Sequence, residues 1–341
     1  MIYRAKAPLR ISFCGGGTDV SPYTEERGGV VLSSTIDKYA YASLRPVDAD
    51  IVRITSLDYD LSRSYRLGEP LVADGELDLV KGVFNHFRPD GFPSGCEIFL
   101  HSDAPPGSGL GSSSTMVTTL VGVVSEWLRH PLTLYETAEL TYRIERLDLG
   151  ISGGRQDQYA ATFGGFNFIE FHGDYTVVNP LRLRRETINE LEYSLLLCYT
   201  GATRLSARIV EKQMAAYSEG AGDVVASLDE MKRLAWEMKM FLLTERLAEF
   251  GRALDDAWQW KKKLQAEIST PRVDALYEAA RAAGATAGKL LGAGGGGHLL
   301  FFVPFVSRHL VAEALERAGG RIVPFAFEER GLQTWAVQEP A

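Results

Sequence analysis

The most restrictive feature of this 341-residue chain is the stretch HSDAPPGSGLGSSSTMVTTLVGVV, which spans residues 101–124. Three glycines in this stretch stand directly before four hydroxyl residues and an apolar run. Glycine destabilises the interior of helices and strands alike, so this segment cannot continue the strand that CEIFLH predicts before it. The pattern therefore predicts a turn that leads from a strand into a buried helix running from Ser112 to about Arg129.

The residues alone leave two interpretations of this turn open. In the first, it is a tight connection in which Ser112 is the N-cap of the helix. In the second, it binds phosphate, because a helix N-terminus offers unpaired N–H groups and glycines let the backbone approach an anion closely. A plain turn needs one glycine and one cap, whereas this one has more of both. The surplus favours phosphate binding, with serines available to phosphate oxygens or Mg²⁺.

Familiar glycine-rich motifs do not describe these segments. The P-loop pattern requires a lysine after its last glycine, but Ser112 follows Gly111 here. Gly292, Gly294 and Gly297 have the spacing of a dinucleotide-binding motif, which must lie between a strand and a helix. The segment that follows Gly297, HLLFFV, is strand-like rather than helical, which disfavours an NAD-dependent oxidoreductase. Comparing the binding of ATP with that of NAD would test this alternative.

Composition limits the classes of partner. The chain has 36 Lys and Arg against 44 Asp and Glu, a net charge of −8, which argues against nucleic-acid binding. Cys14, Cys96 and Cys198 match no zinc-binding spacing, so we expect reduced thiols and a cytoplasmic location. The opening residues do not resemble a signal sequence, and no apolar run reaches the roughly 18 residues of a membrane span, so no membrane association is expected. The oligomeric state, a homodimer included, is left open.

Hydrophobic periodicity predicts an α+β fold in two domains, because strands and helices do not alternate regularly. We place the boundary near the charged segment LRLRRETINE, giving domains at residues 1–180 and 181–341. The first domain is predicted to have strands at 2–14, 30–46, 51–57, 96–101 and 165–171, and helices at 112–129, 134–147 (entered through Thr133 and Glu136) and 156–162. The second is predicted to have a strand at 192–199, helices at 203–219, 223–240, 244–264, 271–283 and 306–318, a strand from His298 and two closing strands.

Four motifs follow one another at wide spacing: APLRISFCGGGTD, PPGSGLGSSST, SGGRQDQYAATFGG and KLLGAGGGGHLLFF. Together they resemble the GHMP kinases over nearly the whole chain. The resemblance implies an N-terminal mixed domain that carries the phosphate loop and its helix, a C-terminal α/β sandwich domain, and an active site in the cleft between them. It also implies that ATP with Mg²⁺ phosphorylates a hydroxyl of a small metabolite.

Within that family, GGGTDVSPY, IDKYAYA and YTGATRLSA resemble the members that act on heptose phosphates. The implied reaction is phosphorylation of the anomeric 1-hydroxyl of D-glycero-D-manno-heptose 7-phosphate to the 1,7-bisphosphate, on the route to a nucleotide-activated heptose. Another sugar 1-kinase, such as a fucokinase, is the first alternative. A non-catalytic relative that binds sugar and nucleotide is the second.

The resemblance assigns the ATP and metal sites. Ser113 occupies the position of a family Mg²⁺ ligand, and Glu145 in RIERLDLG matches its acidic partner. From its position alone, Glu145 would be a solvated residue on a helix surface. The backbone N–H groups of the loop are implied to bind the ATP phosphates. The implied ATP-binding residues are Pro106, Gly107, Ser108, Gly109, Leu110, Gly111, Ser112, Ser113 and Ser114.

Two charged residues match the catalytic positions of the family. Asp157 in GRQDQ is implied either to take the proton of the attacking hydroxyl or to orient that hydroxyl. Arg10 in APLR is implied to lie beside Asp157 and the transferring phosphoryl group. Without the resemblance, Asp157 would be an acid that favours a helix N-terminus and Arg10 an exposed strand residue.

Asp19 matches the acid that accepts hydrogen bonds from sugar hydroxyls in galactokinases, which have GEHTD where this chain has GGGTD. The two missing side chains would leave space and remove a negative charge, as a longer phosphorylated sugar requires. Gly16, Gly17 and Thr18 are assigned to the substrate with the same motif.

A phosphorylated sugar also needs local positive charge. Arg155 is the first candidate, followed by Arg204 and Arg208 on the helix after YTGATR. The lysine run at 261–263 is expected to form a solvated helix face.

The C-terminal glycine segment, residues 292–297, is expected to support the phosphate loop or to approach the substrate, and Gly295 is assigned to the substrate. The role of Lys289 before it is left open, and His101 is expected to be structural.

Overall fold

The computed structural model describes residues 1–203 and 207–339. Its larger sheet has the order β12-β1-β2-β5-β3-β4, and β6 and β7 extend from β2. The two longest strands pair antiparallel, with Tyr3 opposite Leu44 and Arg10 opposite Thr35. The strands of this sheet are β1 (Ile2–Cys14), β2 (Gly29–Val47), β3 (Ile51–Ser56), β4 (Leu61–Arg66), β5 (Gly95–Ser102), β6 (Phe166–Phe171), β7 (Thr176–Pro180) and β12 (Gln333–Val337).

Helices cover one face of the larger sheet. The central one is α3 (Ser112–Leu128), which is mostly apolar and is buried on almost every side between the sheet and the other helices. Helix α4 begins with the predicted capping box, in which Glu136 N–H donates to Thr133 Oγ1 at 3.2 Å and Thr133 N–H donates to Glu136 Oε2 at 2.8 Å. The other helices of this part are α1 (Tyr23–Arg27), α2 (Asp78–Phe87), α4 (Leu134–Tyr142) and α5 (Gln156–Phe163).

The second part of the chain packs helices around a smaller antiparallel sheet of order β11-β8-β10-β9. Its strands are short, and all of them except the edge strand β11 are almost fully buried because helices cover them. The strands are β8 (Leu195–Tyr199), β9 (Ala287–Leu290), β10 (His298–Phe302) and β11 (Arg321–Ile322). The helices are α6 (Arg185–Ser194), α7 (Ala207–Ser218), α8 (Gly222–Leu243), α9 (Leu247–Leu264), α10 (Pro271–Ala282) and α11 (Arg308–Arg317).

One hydrophobic core joins the two parts. Side chains from β1 and β6 pack there against β8, β10 and the helices α8 and α9. Phe13 at the end of β1 meets Phe250 of α9 edge to face, with 5.3 Å between ring centroids. The C-terminal half of β1 is therefore held between the two parts, and that strand carries Arg10.

Two sequence predictions need correction. Residues 185–190 of the segment expected to be a charged connection form the first part of α6, and strand β8 begins at Leu195 rather than Glu192. Ile188 and Leu191 are buried one turn apart in α6, so a short amphipathic helix buries apolar area that an extended connection would expose.

The last strand among the described residues, β12, does not belong to the smaller sheet. Strand β12 returns to the larger sheet and pairs with β1. The boundary at residue 180 stays a prediction, and a C-terminal domain of residues 181–341 would include β12, although this strand belongs to the larger sheet. No helix among the described residues is long and apolar enough to cross a membrane.

Candidate active site

The turn between β5 and α3 has the backbone that its glycines predict. Gly107, Gly109 and Gly111 have φ values of +74°, +83° and +77°, in the left-handed region that other residues avoid. A Cβ atom on Gly109 would lie 2.7 Å from the carbonyl oxygen of Leu291. The loop, residues 106–114, therefore approaches another backbone segment too closely for side chains.

The start of α3 has free hydrogen-bond donors that can bind an anion. Gly111 takes the N-cap position and supplies no side-chain acceptor, so the first turn keeps N–H groups without a partner. The alternative interpretation, in which Ser112 is the N-cap, is wrong, because Ser112 lies inside the helix and its hydroxyl donates to the Pro105 carbonyl at 3.2 Å. The Ser108 hydroxyl is fully buried and has no hydrogen-bond partner among the described residues. These donors fit the phosphates of ATP.

Arg10 connects this loop with Asp157. The guanidinium Nε of Arg10 donates to Asp157 Oδ1 at 2.7 Å, and its Nη1 donates to the Gly109 carbonyl at 2.5 Å. Arg10 is 4% exposed, so the interpretation as an exposed strand residue is wrong. A Cβ on Gly111 would lie 3.2 Å from the carboxyl carbon of Asp157, which places this acid directly against the loop. Asp157 also lies in the first turn of α5, where a negative charge is favourable.

Asp19 lies next to this pair and is held by the same helix. Its carboxylate accepts from the Gly17 N–H at 2.9 Å, from the Gln156 N–H at 3.1 Å and from Gln156 Nε2 at 3.2 Å. Burial, opposed by these N–H donors, raises the pKa of Asp19 above its usual value, and the charge of Asp157 adds to the rise. A Cβ on Gly154 would overlap Asp19 Oδ2, so only glycine allows this approach.

The glycines of the GGGTD motif border polar side chains. A Cβ on Gly16 would lie 3.3 Å from Gln156 Nε2, and one on Gly17 would lie 2.7 Å from Gln213 Nε2. Amide groups therefore border these two glycines, and the sugar contacts assigned to them stay predictions. The Thr18 hydroxyl is buried and bonded to the backbone of Gly15 and Val30, so this side chain shapes the loop.

Glu145 is buried rather than solvated. It lies on a π-helical turn, Arg143–Asp148, that follows α4, and it is 2% exposed. Its Oε2 accepts from Ser114 Oγ and from Gln158 Nε2, both at 2.7 Å, and its Oε1 lies 3.3 Å from Arg146 Nη1. The predicted metal acid thus reaches the start of α3, but there it binds Ser114 instead of Ser113. Within the described residues, no three acidic, His or Cys side chains form a cluster for a metal.

The C-terminal glycine segment supports the phosphate loop, which is one of the two roles expected for it. A Cβ on Gly292 would lie 2.6 Å from the Cα of Gly109, and one on Gly297 would lie 2.3 Å from the Ser108 carbonyl oxygen. His298 Nδ1 lies 2.8 Å from that same carbonyl oxygen, and burial lowers the pKa of His298 to about 4. Gly295 donates its N–H to the Ile268 carbonyl at 2.9 Å, and its assignment to the substrate stays a prediction.

The arginines proposed for the sugar phosphate have different surroundings. Arg155 lies over the ring of Tyr142 at 4.7 Å, and its Nη2 is 3.5 Å from Glu25 Oε1, so an acid already faces it. Arg208 is exposed at the start of α7. Arg204 lies outside the described residues.

Several side chains of the site carry no local sequence signal. Gln156 and Gln158 flank Asp157, and their side chains bind Asp19 and Glu145, respectively. Lys261 is 7% exposed, so the prediction of a solvated lysine face is wrong for this residue. Lys289, whose role was open, is buried as well. Arg146 donates to the carbonyls of Ile151 and Gly154 at 3.3 Å each.

The loop at residues 106–114, the helix that follows it and the Arg10–Asp157 pair form a candidate phosphotransferase site in a two-part fold. The chain belongs to the GHMP kinases: the model of the GHMP kinase N-terminal domain matches residues 78–165, and the model of the C-terminal domain matches residues 238–321. The family uses ATP as the phosphate donor and an alcohol group as the acceptor. The family and fold predicted from the sequence are therefore confirmed.

Two curated proteins and one solved structure show which members of the family the chain is similar to. The chain is 36% identical, over 98% of its length and 99% of the relative, to the D-glycero-alpha-D-manno-heptose 7-phosphate kinase of Campylobacter jejuni. It matches the crystal structure of a D-glycero-D-manno-heptose 1-phosphate kinase from Bacteroides thetaiotaomicron with a TM-score of 0.84 and 38% identity, covering 99% of this chain and 100% of that one. It is also 27% identical to an L-fucokinase/L-fucose-1-P guanylyltransferase of Bacteroides fragilis, over 96% of this chain and 38% of that protein.

Proposed function

We propose that this chain transfers the γ-phosphoryl group of ATP to the anomeric 1-hydroxyl of D-glycero-D-manno-heptose 7-phosphate. The product would be the 1,7-bisphosphate, a precursor of a nucleotide-activated heptose. The similarity to a heptose 7-phosphate kinase along almost the whole chain supports this substrate. We place the reaction in the cytoplasm, where ATP and sugar phosphates are available.

The observation that carries the proposal is the position of Asp157 between the two halves of the site. On one side its carboxylate lies against Gly111 of the phosphate loop, and on the other it follows Gln156, which holds Asp19. Asp19 binds the sugar hydroxyls, and the loop binds the ATP phosphates. A hydroxyl presented to Asp157 is therefore also presented to the terminal phosphate.

The chemistry follows from these positions. The hydroxyl oxygen attacks the γ-phosphorus, the bond from that phosphorus to the oxygen of the leaving ADP breaks, and Asp157 orients the hydroxyl and receives its proton. Arg10 holds Asp157 through Oδ1, and the same guanidinium binds Gly109 of the loop. Its permanent positive charge stabilises the negative charge that develops on the transferring group.

Mg²⁺ would be held by Ser113 and Glu145. The carboxylate of Glu145 and the serine hydroxyls at the start of α3 are the oxygen ligands that this ion prefers. The ion neutralises phosphate charge when it is bound. Ser114, Gln158 and Arg146 hold the Glu145 carboxylate in its buried position.

Arg155 is the described residue that we assign to the 7-phosphate. It follows Gly154, and its backbone N–H donates to the Asp19 carbonyl at 3.2 Å, so its side chain starts at the sugar end of the site. Binding the phosphate would require the guanidinium to exchange Glu25 for the ligand, because the two now lie 3.5 Å apart.

An ADP-release assay across a panel of sugars tests the proposal. The panel holds D-glycero-D-manno-heptose 7-phosphate, the unphosphorylated heptose, L-fucose and galactose, with Asp157→Ala as the control. We expect the highest kcat/KM for the heptose 7-phosphate, no activity above background in the control, and a phosphate on C1 of the product by ³¹P NMR. Equal or better activity on free heptose or on fucose would overturn the substrate. No ADP release with any sugar would favour the non-catalytic alternative.

A further inference from the structure

Two buried lysines lie behind the phosphate loop, and the reaction described above does not use either of them. Lys261 is on α9 and Lys289 is on β9, and they are 7% and 4% exposed. Lysine is seldom buried to this extent unless it is paired. Their partners therefore indicate what they do.

Lys261 holds the glycine segment that backs the loop. Its ammonium Nζ donates to the Leu290 carbonyl at 3.3 Å and to the Gly292 carbonyl. Gly292 in turn lies so close to Gly109 that a Cβ would be 2.6 Å from the Cα of that residue. A movement of the Gly292 carbonyl would therefore be transmitted directly to the phosphate loop.

Lys289 holds the strand that carries Arg10. Its Nζ donates to the carbonyls of Ser12 at 2.9 Å and Phe13 at 2.6 Å. The pairing of β1 with β2 shifts register between Ser12 and Cys14, and such an irregularity frees backbone groups from the sheet ladder. Lys289 thus fixes the irregular end of β1. This end begins two residues after Arg10, whose guanidinium binds Gly109.

The two ammonium groups are not balanced by carboxylates. Among the described residues, neither lysine lies within ion-pair distance of an acid, and both bind only carbonyl oxygens. The two lysines face each other, and the other ionisable groups that face them are Arg10, Asp19 and the Cys14 thiol. Burial lowers the pKa of both, that of Lys289 to about 8. Positive charge in a dry environment is costly unless an anion compensates it.

We propose that Lys261 and Lys289 are positioning residues for the nucleotide, which hold the phosphate loop in its binding conformation from behind and supply positive charge that the ATP phosphates compensate. The inference rests on the use of ATP by this chain and names the side chains that prepare its site. It predicts that nucleotide binding favours the protonated form of both lysines. Binding at alkaline pH must then be accompanied by proton uptake.

Nucleotide binding without sugar tests the inference. Mg·ADP affinity is measured by isothermal titration calorimetry for the wild type and for Lys261→Met, Lys289→Met and Lys262→Met. Lys262 is the matched control, because it is next in the chain and its ammonium lies over the Trp258 ring at 5.6 Å. We expect ten- to a hundredfold weaker binding for the first two variants, about the effect of a lost hydrogen bond to a charged group, and less than twofold for the control. The sugar KM should stay within about twofold, whereas that of ATP rises.

Proton uptake gives a measurement that a merely structural role would not produce. Calorimetry of the wild type at pH 9 in two buffers of different ionisation enthalpy should show net proton uptake on Mg·ADP binding, and Lys289→Met should show less. Folded variants that bind Mg·ADP as tightly as the wild type, or a wild type that takes up no protons, would overturn the inference alone. The wild-type measurement decides even where a variant fails to fold. A wild type that binds no nucleotide would overturn the proposed kinase function as well.

Discussion

Arg10 and Asp157 are 147 positions apart in the chain, yet the Arg10 Nε lies 2.7 Å from Asp157 Oδ1. The same guanidinium binds the carbonyl of Gly109, so one cation joins the acid to the phosphate loop. The ion pair also fixes where the Asp157 carboxylate lies, which is directly against Gly111, the last glycine of the loop.

We expect Asp157→Asn to lower kcat by about 10²- to 10⁴-fold, the usual contribution of a proton acceptor in the transition state. The amide keeps the shape but not the charge, so Mg·ADP affinity should change less than kcat. Steady-state kinetics and a binding titration separate these effects. Asp174→Asn, at an exposed position, is the control. A variant with wild-type kcat would remove Asp157 from the catalytic machinery.

We expect Gly109→Ala to weaken ATP binding at least about tenfold and to destabilise the fold by about 1–3 kcal/mol. The backbone there has a φ of +83°, and the new methyl group would lie 2.7 Å from the Leu291 carbonyl oxygen. Gly68→Ala is the matched control, since nothing lies within 4 Å of its Cβ position. Chemical denaturation and the KM for ATP measure the two effects. Tolerance of Gly109→Ala in both assays would contradict the close packing of the two glycine segments.

Ser113 and Ser114, two of the three serines at the start of α3, should respond differently to substitution. Ser114→Ala removes a donor from the buried Glu145 carboxylate and should lower the free energy of unfolding by about 1–3 kcal/mol. Ser113→Ala should leave stability within about 0.5 kcal/mol, as is usual away from buried networks, and should raise the Mg²⁺ concentration needed for half-maximal activity. Denaturation curves of both variants measure the change in stability, and Mg²⁺ titrations of their activity measure the Mg²⁺ requirement. If only Ser114→Ala changed the Mg²⁺ requirement, Ser114 rather than Ser113 would be the serine that binds the ion.

His298 should make the fold sensitive to acid. Its folded pKa of about 4 lies below the ordinary value of 6.5, so between these pH values the unfolded chain binds more protons than the folded one. The free energy of unfolding should therefore fall as the pH falls from about 6.5 to about 4, by up to about 3 kcal/mol from this residue.

The difference between the wild type and His298→Asn in urea denaturation at several pH values isolates this contribution from those of other acids and bases. His309→Asn, at an exposed position, should keep the wild-type slope. If His298→Asn keeps that slope as well, the buried imidazole is not its source.

The parts of the site that the sequence could predict depend on local chemistry. The positive φ of the loop glycines and the Thr133–Glu136 capping box follow from residue types at short spacing. The family motifs predict that Arg10 and Asp157 lie side by side, and the two side chains form an ion pair. Each of these features can be recognised within a window of a few residues or from a known motif.

The parts that the sequence could not predict depend on which side of an element faces a distant segment. Lys261 belongs to a run of three lysines, but it lies on the stripe of α9 that includes Leu254, Trp258 and Leu264, all of them buried. Glu145 turns inward because α4 ends in a π-helical turn, for which there is no clear local signal. The burial of Lys261 depends on partners that are distant in the chain, and the burial of Glu145 depends on an irregular turn.

The pairing of β1 with β12 places Ile2 opposite Val337. Strand β1 therefore presents an unpaired edge until the much later strand β12 has been made, and an open edge is a template for pairing with other chains. Separately expressed halves would keep this exposed edge. Ile2 and Val337 are neighbours in the finished sheet, so a circular permutant that links these two positions through a short peptide should fold, with new ends in an exposed loop.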